Sequence, residues 1–152
     1  DAIYQNMACK YFEHFLYIAH AMTNMDGAGI HLWDAEDEFF YDVVHSTDGT
    51  NMPLKIHSMV GLIALFAVAT AKTQRMESFD VFAQRARWFL HNRPDLVKNV
   101  ASGLAPADNG TQMMSILTKE RLVAVLRRML DPEGFLSDHG VRALSRYHLE
   151  HP

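Results

Sequence analysis

Apolar residues along positions 3–23 recur at spacings near three and four: Ile3, Met7, Phe15, Leu16, Ala19 and Met22. One apolar stripe at that period predicts an amphipathic helix. Tyr11, Phe12 and Ile18 widen the stripe, so the helix is expected to touch neighbours on two sides. Met25-Asp-Gly-Ala-Gly29 should stop it, because its two glycines are free to take positive φ. The pattern then changes. Glu38-Phe-Phe-Tyr-Asp-Val-Val44 is aromatic and β-branched, which suits a strand. Asp48-Gly49 is a turn signal and Leu54-Lys-Ile-His-Ser58 a return strand, giving an irregular β-hairpin within 38–58. Residues 59–71 are apolar on every face, which predicts a helix buried all round.

A further helix is predicted over 79–91, with Ser78 as N-cap and Phe79, Phe82, Ala86 and Phe89 inward. Pro94 ends it and can start a short helix over 95–101. Two glycines, a proline and an Asn-Gly pair make 102–112 a loop. Thr118 reads as the next N-cap, before a helix over 119–130 with Leu122, Val125, Leu126 and Met129 inward. Asp131-Pro-Glu-Gly134 closes it, and the tail from Phe135 has helical propensity interrupted by Gly140. The apolar faces are too many for so short a chain. Leu62, Leu65, Phe66 and Val68 cannot all be covered by the helices it can form, so further protein or a second copy should cover the rest.

Composition narrows the classes. The chain has 152 residues, 49% of them hydrophobic, and a formal net charge of −4. That excludes a disordered segment. With 14 basic against 18 acidic residues and no basic run, nucleic acid is not an expected partner. The longest apolar run, Met59–Ala69, is too short to span a bilayer, so no membrane partner is expected. One cysteine, Cys9, cannot form an internal disulfide, and a reducing, cytoplasmic setting is the simpler reading. The sequence opens on Asp1 rather than Met and reads as one fragment of a larger domain, without an internal boundary.

The candidate chemistry lies in an acidic cluster, Asp34, Glu36, Asp37, Glu38, Asp42 and Asp48. An EF-hand counted from Asp34 would need Gly at its sixth position and Glu at its twelfth. Phe39 and His45 stand there, so that reading fails. Solvated loop carboxylates are one alternative. Sugar or cation binding is the other, since Trp33, Phe39, Phe40 and Tyr41 offer faces for sugar C–H surfaces and carboxylates accept hydroxyl hydrogen bonds. Nine histidines are many, but His14 and His20 lie six apart and His148 and His151 lack a nearby third ligand, so neither metal nor cofactor is expected. Asn109-Gly-Thr111 matches a glycosylation sequon, without a secretion signal to support it.

Four stretches taken in order carry a resemblance: 10–19, Leu32-Trp-Asp-Ala-Glu-Asp-Glu-Phe-Phe-Tyr-Asp42, 53–63 and Gly140-Val-Arg-Ala-Leu-Ser-Arg-Tyr-His148. The chain resembles bacterial glucosidase-like proteins of glycoside hydrolase family 63, over nearly its whole length but only the middle of that family's catalytic domain. The resemblance implies a mainly α fold, part of an (α/α)6 toroid with one short β-hairpin over the barrel mouth. It implies hydrolysis with inversion by a carboxylic acid and a carboxylate about 6.5–9.5 Å apart. The segments that carry those two groups match nothing here, so no catalytic residue is expected. Substrate-binding positions implied by the resemblance are Trp33, Asp34, Asp37, Tyr41, Asp42, Lys55, His57, Ser58, Arg142 and Ser145. Three residues depart from the pattern: Glu38 for a usual glycine, Ala64 for a usual proline and His57 for an expected arginine. The expectation is an inactive fragment of a glucosidase-like hydrolase with a carbohydrate partner. The alternative is a small self-contained helical module that oligomerises through its apolar faces. Self-association of the isolated chain is expected of the fragment reading, because a part-barrel leaves apolar faces uncovered.

Overall fold

The computed structural model describes residues 2–22, 31–72, 74, 78–98, 100 and 109–152. In chain order the elements are helix α1 (Ala2–Ala21), strands β1 (Trp33–Asp34), β2 (Phe39–Phe40), β3 (Asp42–His45) and β4 (Asn51–Leu54), a 3-10 helix (Met59–Phe66), β5 (Val68–Lys72), α2 (Asp80–Asn92), α3 (Pro94–Val97), β6 (Thr111–Ser115), α4 (Lys119–Met129), β7 (Leu136–Ser137), β8 (Gly140–Val141) and a closing 3-10 helix (Arg146–Leu149). The strands pair into two-stranded antiparallel sheets: β1 with β2, β3 with β4, β5 with β6 and β7 with β8. Helix and small antiparallel sheets alternate, which overturns the mainly α toroid.

The expected all-apolar helix over 59–71 is the main correction. The chain forms a 3-10 helix only to Phe66 and then becomes β5, which pairs with β6 from Val68↔Ser115 to Lys72↔Thr111. A continuous apolar run cannot tell strand from helix by periodicity, and Val68 and Thr70 are β-branched. Nor is the run buried all round. Leu62 and Ala64 are buried, whereas Met59, Val60, Ile63 and Phe66 are exposed, Phe66 by 73%. The tail is corrected too: Gly140, at φ 123°, opens the return strand of a β7–β8 hairpin rather than a helix.

The chain divides into two compact units, Asp1–Ala21 with Ala67–Lys119, and Met22–Phe66 with Glu120–Pro152. In the first, α1 buries Cys9, Phe12, Leu16 and Ala19, a narrower stripe than predicted, while Ile3, Met7 and Tyr11 stay exposed. Phe12 meets Phe82 and Phe89 of α2 edge-on, at 5.5 and 6.3 Å between centroids. Helix α2 follows the predicted range, but its N-cap is Phe79, without a side-chain cap, rather than Ser78. Pro94 sits in the first turn of α3, as its fixed φ favours. The stop at 25–29 and most of the 102–112 loop lie outside the described residues.

The second unit buries Phe39, Phe40, Tyr41, Leu62, Val125 and Phe135. Phe39 stacks on Phe135 at 5.7 Å and meets the rings of Tyr41 and His57 at 5.5 Å each. Gly61 lies against this cluster: a Cβ there would strike the Phe39 ring and approach the Phe40 carbonyl oxygen to 2.5 Å. The β3–β4 hairpin falls within 38–58 and turns at Asp48-Gly49, where Asp48 Oδ1 accepts the Thr50 amide and hydroxyl at 2.9 and 2.7 Å. Its return strand starts at Asn51, earlier than predicted, with Pro53 opposite Val43.

Candidate functional site

The β1–β2 hairpin carries the chemistry. Asp34 Oδ1 accepts the amide N–H of Glu36 and of Asp37, both at 2.9 Å. That Asx turn folds the four-residue loop 35–38 back and brings Asp37 beside Asp34. Glu38 ends the loop at φ 50°, the left-handed region that favours glycine, which is the residue the resemblance has there. Lys55, just after β4, places Nζ 2.9 Å from both Asp34 Oδ2 and Asp37 Oδ2. Asp37 Oδ2 also accepts the Tyr41 hydroxyl at 2.9 Å, and Tyr41 Oη stands 2.6 Å from His57 Nε2. The phenol has one proton and gives it to Asp37, so His57 donates from Nε2.

The chain of contacts continues through His57. Its ring stacks on Tyr41 and on Tyr147, at 5.7 and 4.7 Å between centroids. Its amide N–H donates to His148 Nε2 at 2.9 Å, and His148 Nδ1 lies 2.7 Å from the His151 carbonyl oxygen. Only a neutral ring with its proton on Nδ1 satisfies both contacts, so His57 and His148 hold opposite tautomers. Helix α4 approaches the hairpin with two arginines seven residues apart, flanking the buried Val125. Arg121 lies over the Trp33 ring, 5.0 Å from its centroid, and Arg128 donates to the Asp37 carbonyl oxygen.

The electrostatics follow from these contacts. The Asp37 amide and then the Lys55 ammonium hold Asp34 below the usual carboxylate range. Lys55 does the same for Asp37, against the opposing effect of its partial burial. The two carboxylates in turn raise Lys55. Burial, reinforced by Asp37, pushes the Tyr41 phenol up, and burial with Arg128 nearby pushes the His57 imidazole down. At neutral pH the site therefore holds two ionised carboxylates, one ammonium, a neutral phenol and a neutral imidazole. Both carboxylate oxygens lie 2.9 Å from one nitrogen, so they stand closer together than the 6.5–9.5 Å that leaves room for an inverting enzyme's water. Neither is raised as a general acid must be. What the arrangement can do is bind. The Asp34, Asp37 and Lys55 side chains are 21, 28 and 49% exposed, leaving acceptors and a donor within reach of a ligand's hydroxyls.

Of the ten expected binding positions, the fold brings Trp33, Asp34, Asp37, Tyr41, Lys55 and His57 together. Asp42 is exposed in β3, opposite Leu54, and joins none of these hydrogen bonds. Ser58 bridges to Leu144, and its Oγ accepts the Val60 amide at 3.3 Å. Arg142 gathers the carbonyls of Pro132, Gly134 and Leu136. Ser145 is buried, donates its amide N–H to the His57 carbonyl at 2.8 Å and caps the last 3-10 helix by accepting the Tyr147 amide. Ser58, Arg142 and Ser145 thus hold backbone in place. Sequence reasoning missed Arg121, Arg128 and Tyr147, and weighed His148 only as a metal ligand. The one available signal was a pair of arginines sharing a face with Val125 in α4.

Comparison with known proteins adds one relative. The chain is 38% identical over 164 aligned residues to an uncharacterized protein of Saccharomyces cerevisiae. The match covers the whole chain but only 15% of the yeast protein's length. No family model matches the chain, and no solved structure matches it. Among the described residues no group of three histidine, cysteine or acidic side chains could hold a metal ion. No helix among them is long and apolar enough to cross a membrane.

Proposed function

We propose that the chain contributes a sugar-binding surface to a larger glucosidase-like hydrolase and does not itself carry the acid and base that cleave the bond. The observation behind this reading is Lys55 held between Asp34 and Asp37, beside Tyr41 and Trp33. Fixed carboxylates and an ammonium at a half-exposed site suit a polyol. Carboxylate oxygens accept from hydroxyls, Nζ donates to a hydroxyl or ring oxygen, and the part-exposed Trp33 ring can border a C–H face. The ordered set of four resembling stretches supports glucose-type substrates and inversion. The match to 15% of a longer relative accords with a chain that works as part of a larger protein.

The test is titration of the chain with glucose disaccharides of different linkage, followed by amide chemical shifts. Shifts centred on residues 33–41 and 55–57, abolished by Lys55→Met or Asp37→Asn, are expected. Shifts elsewhere, or none at millimolar sugar, overturn the reading. An aryl α-glucoside should not be hydrolysed; turnover lost on Asp37→Asn would show that the carboxylates are catalytic after all.

A second reading, a self-contained module that associates with its own copies, is favoured by one observation. Met59, Val60, Ile63 and Phe66 of the first 3-10 helix are exposed, beside the buried Gly61, Leu62 and Ala64. Each such side chain, once covered, recovers roughly 1.5–3 kcal/mol. Sedimentation over a range of concentrations should show association that weakens in Phe66→Ser. A monomer at every concentration overturns this reading.

A further inference from the structure

The Asn109-Gly110-Thr111 motif lies at the start of β6, and none of its residues is among those of the candidate site. We infer that it is a site of spontaneous covalent modification, at which Asn109 deamidates through a cyclic imide and opens preferentially to isoaspartate. Of the six asparagines in the chain, Asn109 alone is followed by glycine. Asn109 is exposed, Gly110 takes φ 70°, and a Cβ built at Gly110 meets nothing within 4 Å. The Gly110 nitrogen is therefore unhindered as a nucleophile.

Two contacts bias the chemistry. The Thr111 amide N–H donates to Asn109 Oδ1 at 2.9 Å. That bond folds the side chain over its own backbone and stabilises the negative charge that grows on Oδ1 when the Gly110 nitrogen attacks Cγ. A bond forms between that nitrogen and Cγ, the Cγ–Nδ2 bond breaks, and the amide proton leaves with the ammonia. Water then adds to one of the two imide carbonyls. Attack at Cγ gives aspartate, and attack at the main-chain carbonyl carbon gives isoaspartate; neither route needs an oxidant. Lys72 Nζ lies 3.5 Å from the Asn109 main-chain oxygen. The ammonium polarises that carbonyl and faces the α-carboxylate that isoaspartate leaves there. The product adds one negative charge and one main-chain methylene beside the Lys72↔Thr111 pair of the β5–β6 sheet.

The test incubates the chain in mildly alkaline buffer, folded and in urea, with peptide mass mapping and labelling by an isoaspartyl methyltransferase. Asn109 should convert before Asn6, Asn51 and Asn92, and the folded chain should give a larger isoaspartate share than the chain in urea. Lys72→Gln should remove that excess. Gly110→Ala should slow conversion several-fold. Conversion of another asparagine first, or one product ratio in both states, overturns the inference. So does a ratio unchanged by Lys72→Gln.

Discussion

Replacing Gly61 by alanine adds one methyl group where the second unit has no room for it. The new Cβ would strike the Phe39 ring and lie 2.5 Å from the Phe40 carbonyl oxygen. Neither neighbour can yield easily. Phe39 is 1% exposed and wedged among Phe135, Tyr41 and His57, and the Phe40 carbonyl belongs to strand β2. Overpacking of this kind costs about 1–3 kcal/mol, and a clash on two rigid sides belongs at the upper end. Alanine's conformational advantage over glycine offsets up to about 1 kcal/mol of it. The net loss is about 2 kcal/mol, equivalent to a fall in Tm of about 4–8 °C for a chain of this size. Urea unfolding followed by fluorescence and by far-ultraviolet dichroism measures it. Gly61→Ala combined with Phe39→Leu should recover part of the loss, because the smaller side chain makes room. A single variant as stable as the parent would refute the packing described around Phe39.

Three more outcomes can be checked in the same way. Glu38→Gly should stabilise the chain by about 1 kcal/mol in urea unfolding, because the left-handed φ of 50° strains a side chain but not glycine. Tyr41→Phe leaves the His57 Nε2–H without its acceptor and should cost about 1–3 kcal/mol, with a further fall in the His57 pKa seen by proton resonance, because the charged ring loses more from a missing acceptor than the neutral one. Acid should destabilise in two stages. Burial holds His57 neutral when folded, so below about pH 6.5 the unfolded chain takes the extra proton and stability starts to fall. Asp34 and Asp37 are held low when folded, so their contribution is complete above about pH 4 and is lost as the pH drops through their folded values. A urea midpoint that is flat from pH 7 to pH 3 would contradict both assignments.

Helices α1, α2 and α4 were legible because each shows one apolar stripe at a period near 3.6. The β3–β4 hairpin was legible from β-branched residues and Asp48-Gly49. What escaped was pairing between distant segments. Nothing in Thr111-Gln-Met-Met-Ser115 marks it as the partner of Val68–Lys72, and the all-apolar run before it reads equally as helix. The site divides along the same line. Asp34, Asp37, Tyr41, Lys55 and His57 lie within one stretch and could be read together. His148 and Arg128 instead bind backbone groups 91 residues away, at His57 and Asp37, and such contacts leave no periodic trace.

Pro53 has a consequence for how copies of the chain can meet. Ser46 N–H donates to the Thr50 carbonyl just inside the turn. Counting outward from that bond, the Val43↔Pro53 pair is one whose main-chain groups point away from each other. The nitrogen of Pro53 therefore faces the free side of β4 and carries no hydrogen to offer. A strand arriving there from another molecule would find a gap in the ladder midway along a four-residue edge, so β4 is a poor template for fibril growth. Any contact between copies along this hairpin would therefore run through side chains rather than through the main-chain edge of β4.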